Sequence, residues 1–332
     1  MVRGRASDPA RALTTGSLMS LAFVFPGQGS QAVGMGAELA DTFAAARDVF
    51  KEVDDALGQN LFQLMRHGPE ADLTLTENAQ PALMAVSLAV VRVLQEDYNI
   101  GVDGVAYVAG HSLGEYSALA ASGAFSLPDT ARLLKLRGQA MQKAVPLGVG
   151  AMASLIGPKV DLALAEEAAL AGAEIGVCTV ANDNNAGNVV ISGDAAAVER
   201  AIARAKELGA RAIPLNVSAP FHCPLMAPAA EAMAEALGQV TISAPLAPLV
   251  ANVTARPITS PDDIRRLLVA QVTGRVRWRE SVLWMAGEGG VTRFAELGTG
   301  KVLTGMGKRL APEAQSVALN TPEDLEAFAQ SL

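Results

Sequence analysis

The 332-residue chain has only three imidazoles, His67, His111 and His222, and one serine stands where an imidazole could activate it. Ser112 lies in Gly110-His111-Ser112-Leu113-Gly114, between an apolar strand-like run from Val105 to Ala109 and a helix-like run from Glu115 to Ala121. Strand, G-x-S-x-G, helix is the pattern of a nucleophile elbow, in which two glycines let the chain turn sharply enough to expose the serine. The next amide, Leu113 N–H, opens a helix, where partial positive charge favours a developing oxyanion. The bland alternative is a glycine-rich turn with a solvated serine. A serine hydroxyl is a poor nucleophile at neutral pH and needs a base. His111 precedes Ser112 in the extended stretch entering the turn, so its side chain should diverge from the serine's. His67, in Met65-Arg66-His67-Gly68-Pro69, reads as a helix-end cap. His222 is the remaining candidate, placed after the apolar run Ala212 to Val217, with Pro220 and Pro224 restricting its orientation from either side. Cys223 beside it suggests thiol chemistry, but Ser112 holds the elbow.

Arg137 is the second candidate for chemistry. It belongs to a helix-like stretch from Asp129 to Ala144, and its neighbours at helical spacing are Leu133, Leu134, Ala140 and Met141. An arginine on an apolar face can lay its stem across that face and keep its head in water. It can also emerge from an apolar wall to grip a carboxylate in a planar, bidentate hold.

Five segments together resemble a known family. Phe25-Pro26-Gly27-Gln28-Gly29-Ser30-Gln31, Gly110 to Glu115, Leu136-Arg137-Gly138, Ser218 to Cys223 and Gly298 to Leu303 are similar, in order and spacing from about Ser20 onward, to malonyl-CoA:acyl carrier protein transacylases. The resemblance implies a Ser112–His222 dyad, with the histidine oriented by a main-chain carbonyl, by position that of Gln271. It implies an oxyanion hole shared by the Leu113 amide and Gln28, and a malonyl carboxylate held by Arg137. Phe221 resembles the bulky residue that related acyltransferases set against an α-methyl branch, which would make methylmalonyl a poor substrate. Malonyl-CoA and a phosphopantetheinyl acyl carrier protein would be the substrates, with no metal or other cofactor, in a cytoplasmic monomer serving fatty acid synthesis.

These residues need a scaffold to bring them together. Strand-like runs Leu21 to Phe25, Val105 to Ala109, Pro248 to Val253, Val291 to Leu297 and Ser316 to Asn320 alternate with helical stretches, as in an α/β fold with a mostly parallel, hydrolase-like sheet. Gly36 to Leu57 reads as one long helix. Residues 148–217 form an inserted unit: Ala151 to Ile156, Glu174 to Ala181, Asn188 to Ser192 and Arg211 to Val217 as strands, Val160 to Ala171 and Ala195 to Leu208 as helices. That order, β-α-β-β-α-β, is ferredoxin-like. The core would then be residues 19–147 and 218–332, with the site in the cleft between the two parts.

Composition narrows the class. Hydrophobic content of 50% with 18% charged residues is globular, and no apolar run could span a membrane. Two cysteines, Cys178 and Cys223, provide no disulfide framework and suit a reducing compartment. Net charge is −8, which disfavours nucleic acid, yet the segment from Arg265 to Arg309 holds nine basic residues against three acidic ones and is a candidate docking surface for an acidic carrier. Residues 1–18 read as a disordered extension or a weak transit peptide. Gly27 to Ala32 imitates a dinucleotide fingerprint, but no second strand ending in an acid follows it. A serine esterase shares the elbow but needs an acid between serine and histidine, for which Asp183 and Asp194 are available only in the inserted unit. A non-catalytic docking protein is the remaining class.

Overall fold

The computed structural model describes residues 20–332. The extension proposed for residues 1–18 lies outside them. In chain order the elements are β1 (Leu21–Phe25), α1 (Ala37–Thr42), α2 (Ala44–Leu57), α3 (Leu61–His67), α4 (Glu70–Thr74), α5 (Thr76–Tyr98), β2 (Tyr107–Gly110), α6 (Gly114–Ala121) and α7 (Leu127–Ala144). A second unit follows: β3 (Gly150–Ile156), α8 (Leu162–Ala173), β4 (Cys178–Asn185), β5 (Asn188–Asp194), α9 (Ala195–Glu207) and β6 (Arg211–Pro214). The chain then returns through α10 (Ala227–Gln239), β7 (Leu249–Val250), β8 (Pro257–Ile258), α11 (Pro261–Thr273), α12 (Trp278–Ala286), β9 (Arg293–Leu297), α13 (Val302–Leu310), β10 (Gln315–Leu319) and α14 (Pro322–Gln330).

The larger sheet runs β10-β9-β1-β2-β7-β8 and is parallel except at the β7–β8 edge. Every residue of β1 is buried, which is why Leu-Ala-Phe-Val-Phe is continuously apolar: helices cover both faces. The register pairs Phe25 with Gly110, so the chain leaving β1 and the chain leaving β2 emerge side by side. Sites in open parallel sheets form at such carboxyl ends. The smaller sheet is antiparallel, in the order β4-β5-β3-β6, with α8 and α9 closing an alanine- and valine-rich core on one face. It joins the larger unit where Asp183 N–H donates to Val276 O (2.9 Å), Val276 N–H donates to Ala181 O (2.8 Å) and Arg279 pairs with Asp183 (2.8 Å).

Several element boundaries differ from those expected from sequence, for physical reasons. The helix expected from Gly36 to Leu57 breaks at Phe43, which adopts extended angles (φ −112°, ψ 131°) and turns its ring edge-on to Tyr98 at 6.3 Å. The strand expected over Glu174 to Ala181 instead spans Cys178–Asn185. Its polar end was unreadable as strand because its partners come from elsewhere: Asp183 meets Arg279, and Asn184 meets His111. The strand expected from Arg211 to Val217 stops at Pro214, and beyond it a single bond, Leu215 N–H to Met152 O (2.9 Å), still ties the chain to β3. The run Pro248 to Val253 holds only two strand residues before a turn through Ala255 (φ 53°) folds back to β8. That turn carries Asn252 to the elbow.

Candidate active site

Both elbow glycines are enforced by contact. A Cβ on Gly110 would lie 1.9 Å from the carbonyl carbon of Gly114, and one on Gly114 would lie 2.3 Å from Phe25 O. No side chain fits at either position, so α6 can start directly over β2 with Ser112 at the tip. Ser112 takes left-handed angles (φ 53°), as does His222 (φ 57°). Asn252 staples the turn: its Oδ1 accepts Ser112 N–H (2.9 Å) and its Nδ2 donates to Gly110 O (2.7 Å). Replacing Asn252 with alanine would strand two buried backbone groups. We expect it to cost about 2–4 kcal/mol in denaturant unfolding and to slow serine acylation with it.

Ser112 Oγ and His222 Nε2 are 2.7 Å apart, and His222 Nδ1 is 2.9 Å from the main-chain oxygen of Gln271. A carbonyl can only accept, so Nδ1 carries the proton and the bare Nε2 faces the serine hydroxyl. Burial first, then the nearby Arg137 charge, lower the His222 pKa to about 3, which keeps the imidazole neutral at rest. Among the described residues, no carboxylate stands behind it. Asp183 is ion-paired with Arg279, and Asp194 accepts Val177 N–H (2.6 Å), so neither acid weighed for an esterase triad serves His222. His111 turns away from the serine, bonding Asn184 at 2.8 Å and meeting Trp278 edge-on. Cys223 is buried, and its thiol donates to Pro220 O at 3.1 Å.

Arg137 is 1% exposed, so its head is not in water. Its neighbour Gly138 lets α7 touch the start of α5, where a Cβ would come within 2.5 Å of the Glu77 Cα. The close crossing brings the guanidinium to Gln80 Oε1 (2.9 Å), Gln271 Oε1 (2.9 Å) and Ser112 Oγ (3.2 Å), with the Tyr116 ring 5.7 Å away. Its Nε–H has no hydrogen-bond partner among the described residues. A positive charge beside the serine oxygen favours the alkoxide. Gln28 leaves β1 next to the elbow, and its side chain reaches Thr76 (3.4 Å), whose hydroxyl is 3.0 Å from that of Ser218. The loop carrying Gln28 is thus tied to the segment carrying His222. Leu113 is buried at the start of α6, and its N–H has no hydrogen-bond partner among the described residues. Phe221 is half-buried, packed between the main core and a small cluster of Met152, Ala181 and Val190 from the antiparallel sheet. Sequence reasoning missed Gln80, Glu115, Asn184 and Asn252. Only Asn252 had a usable signal, a polar residue at the end of a strand-like run and therefore at the same sheet edge as Ser112.

Residues 22–318 match the family model of the acyl transferase domain. The chain belongs to the acyl transferase family. It is 45% identical over 311 residues to the malonyl CoA-acyl carrier protein transacylase of Escherichia coli K12, covering 93% of this chain and 99% of that protein. The Bacillus subtilis 168 protein of the same name is 44% identical over 316 residues, covering 95% and 98%. Among solved structures, the acyl-carrier-protein-S-malonyltransferase of Bartonella henselae aligns with TM-score 0.91 at 54% identity, over 94% of this chain and 99% of that one. A malonyl-transacylase solved in complex with a type II PKS acyl-carrier protein aligns with TM-score 0.90 at 42% identity, over 94% and 100%. Within this acyltransferase, no helix among the described residues is long and apolar enough to cross a membrane.

Proposed function

We propose that this acyltransferase carries malonyl from malonyl-CoA to the phosphopantetheine thiol of acyl carrier protein by way of a malonyl-Ser112 intermediate. The observation that carries the reading is a fully buried guanidinium 3.2 Å from the serine oxygen, with no carboxylate in direct contact among the described residues. A plain acyl hydrolase has no use for a cation there, whereas malonyl brings a carboxylate to pair with it. His222 Nε2 takes the serine proton as Oγ bonds to the thioester carbon, and the Leu113 and Gln28 amides receive the oxyanion. The C–S bond then breaks, and the thiolate leaves with the proton from His222. In the second half-reaction the carrier thiol gives its proton to Nε2 and its sulfur bonds to the acyl carbon; the ester C–O bond then breaks, and Ser112 Oγ leaves with the proton from His222. A thiolate leaves easily, so the carbonyl of Gln271 suffices in place of an aspartate behind the imidazole.

Intact-protein mass spectrometry with malonyl-CoA tests the reading. A malonyl adduct that disappears only when carrier protein is added supports transfer. Prompt release of free malonate would make the protein a hydrolase, and an unchanged mass would leave it a binding protein.

We read the larger unit as hydrolase-like and the order β4-β5-β3-β6 as ferredoxin-like, with the elbow at the seam between them, where His111 meets Asn184. Phe221, beside the base, suits a role in refusing α-branched acyl groups. The enzyme acts as a cytoplasmic monomer without metal or redox cofactor, a reading supported by its two unpaired, buried cysteines and a chemistry complete in its own side chains.

The basic segment is not one docking face. Arg266 is paired with Asp263, Arg275 with Glu166 and Glu280, Arg277 with Glu280, and Arg279 with Asp183, so four of its nine charges are spent within the protein. Lys301, Lys308 and Arg309 are exposed and in no ion pair among the described residues, at the start and last turn of α13. α13 follows the Gly298–Gly300 turn, where a Cβ on Gly300 would touch Ser30 of the Gln28 loop at 3.5 Å. Reversing Lys308 and Arg309 together should therefore slow transfer to carrier protein about tenfold at low salt while leaving acylation by malonyl-CoA intact. Reversing Arg275 should act mainly through lost pairing with Glu166. Stopped-flow rates over a salt series measure both. Carrier-dependent rates unchanged by the α13 reversal would move the surface elsewhere.

A further inference from the structure

Glu115 is 1% exposed, faces away from solvent, and has no part in the mechanism above. Both of its oxygens are engaged. Oε1 accepts the main-chain N–H of Asn252 (3.1 Å), and Oε2 accepts the side-chain Nε2 of Gln271. Those two partners do separate jobs. Asn252 staples the elbow through Ser112 N–H and Gly110 O. Gln271 donates Nε2 also to Ser112 O (2.8 Å), turns its Oε1 to Arg137 (2.9 Å), and offers its main-chain oxygen to His222. We infer that Glu115 is a positioning residue that fixes the polarity of the Gln271 amide, and through it presents Arg137 to the substrate carboxylate.

The Gln271 amide lies between a guanidinium, which can only donate, and a carboxylate, which accepts. Only one orientation satisfies both: Oε1 toward Arg137 and Nε2 toward Glu115. The carboxylate also gives the buried guanidinium a counter-charge at one remove. A carboxylate in direct contact would cap Arg137 and compete with malonyl; a carboxylate one amide away balances the charge and leaves an edge of the fork open. Burial is the main cause that pushes the Glu115 carboxyl up to about 7, while Asn252, Gln271 and the Arg137 charge pull the other way, toward the ionised form that the relay uses.

Glu115→Gln keeps the shape and removes the second acceptor. The new amide must give its oxygen to the rigid Asn252 N–H and turn its NH2 toward Gln271. The Gln271 amide then either faces donor to donor or flips, which puts its Nε2 against Arg137 and withdraws it from Ser112 O. We expect malonyl loading to fall by roughly tenfold or more, chiefly as a raised KM, and acetyl loading to fall less. In a double-mutant cycle on Ser112 acylation, Glu115→Gln should cost nothing further in an Arg137→Ala background.

The inference rests on Arg137 holding the malonyl carboxylate, and the experiment separates the two. Equal losses of malonyl and acetyl loading in Arg137→Ala alone would overturn the role of the arginine. Losses by Glu115→Gln and Arg137→Ala that add in the cycle would overturn the relay, whichever substrate is used. If Glu115→Gln does not fold, Gln271→Met breaks the same relay while sparing the main-chain oxygen that holds His222. It must then show the same non-additivity with Arg137→Ala, and additive losses would again overturn the relay.

Discussion

Ser112→Ala will abolish the malonyl adduct and lower transfer by roughly 10^5-fold, because no other nucleophile is presented to His222 Nε2. Cys223 is next in sequence to the base but cannot replace the serine. Its thiol is buried, donates to Pro220 O and is pushed up in pKa by that burial, so little thiolate forms. The measurement is the intact mass after incubation with malonyl-CoA, followed by peptide mapping. Label persisting on Cys223 in the alanine variant would reverse the assignment. Folding should be retained, since the Ser112 side chain fills no core space and the Asn252 staple holds its backbone, not its hydroxyl.

Arg137→Ala carries the next largest effect and a distinctive signature. Malonyl loading should fall by about 10^2-fold or more, and acetyl loading much less, because only malonate has a carboxylate to lose. The pH dependence should also move. Burial is the main cause that depresses His222 to about 3, and the Arg137 charge is the second. Removing that charge raises the imidazole pKa. A protonated imidazole cannot take the serine proton, so the acid limb of acetyl-CoA acylation should shift to higher pH. An unmoved acid limb would show that the guanidinium does not act on the base. If malonyl binds as proposed, the same electrostatics would operate in the native enzyme: its carboxylate would offset Arg137 and return basicity to His222.

Features set by local chemistry could be read from the residues alone. The elbow glycines, the apolar β1 and the proline-flanked His222 each impose their conformation over a few positions. Features set by distant partners could not. Phe43 breaks a helix where its ring meets that of Tyr98, 55 positions away in sequence. Asn182 to Asn185 look like a loop until Val276, Arg279 and His111 arrive to pair with them. The basic run after Arg265 was countable, but two acids that neutralise part of it belong to the smaller unit, Glu166 on α8 and Asp183 on β4. Gln80 and Glu115 are ordinary helix residues by pattern, and only the fold shows that they converge on one arginine and one glutamine.

Ser112 and His222 share left-handed backbone angles that side chains with a Cβ occupy at a cost of about 1–2 kcal/mol each. Glycine would occupy either position more comfortably. At Ser112, whose side chain fills no core space, directed evolution scored on melting temperature alone would accordingly be drawn to the residue assigned as nucleophile, whereas at His222 the buried ring and its bond to Gln271 O oppose the same change. A thermostabilised form of this enzyme has to be sought under continuous selection for acyl transfer, with the gains taken from surfaces remote from the elbow and from the segment that carries His222.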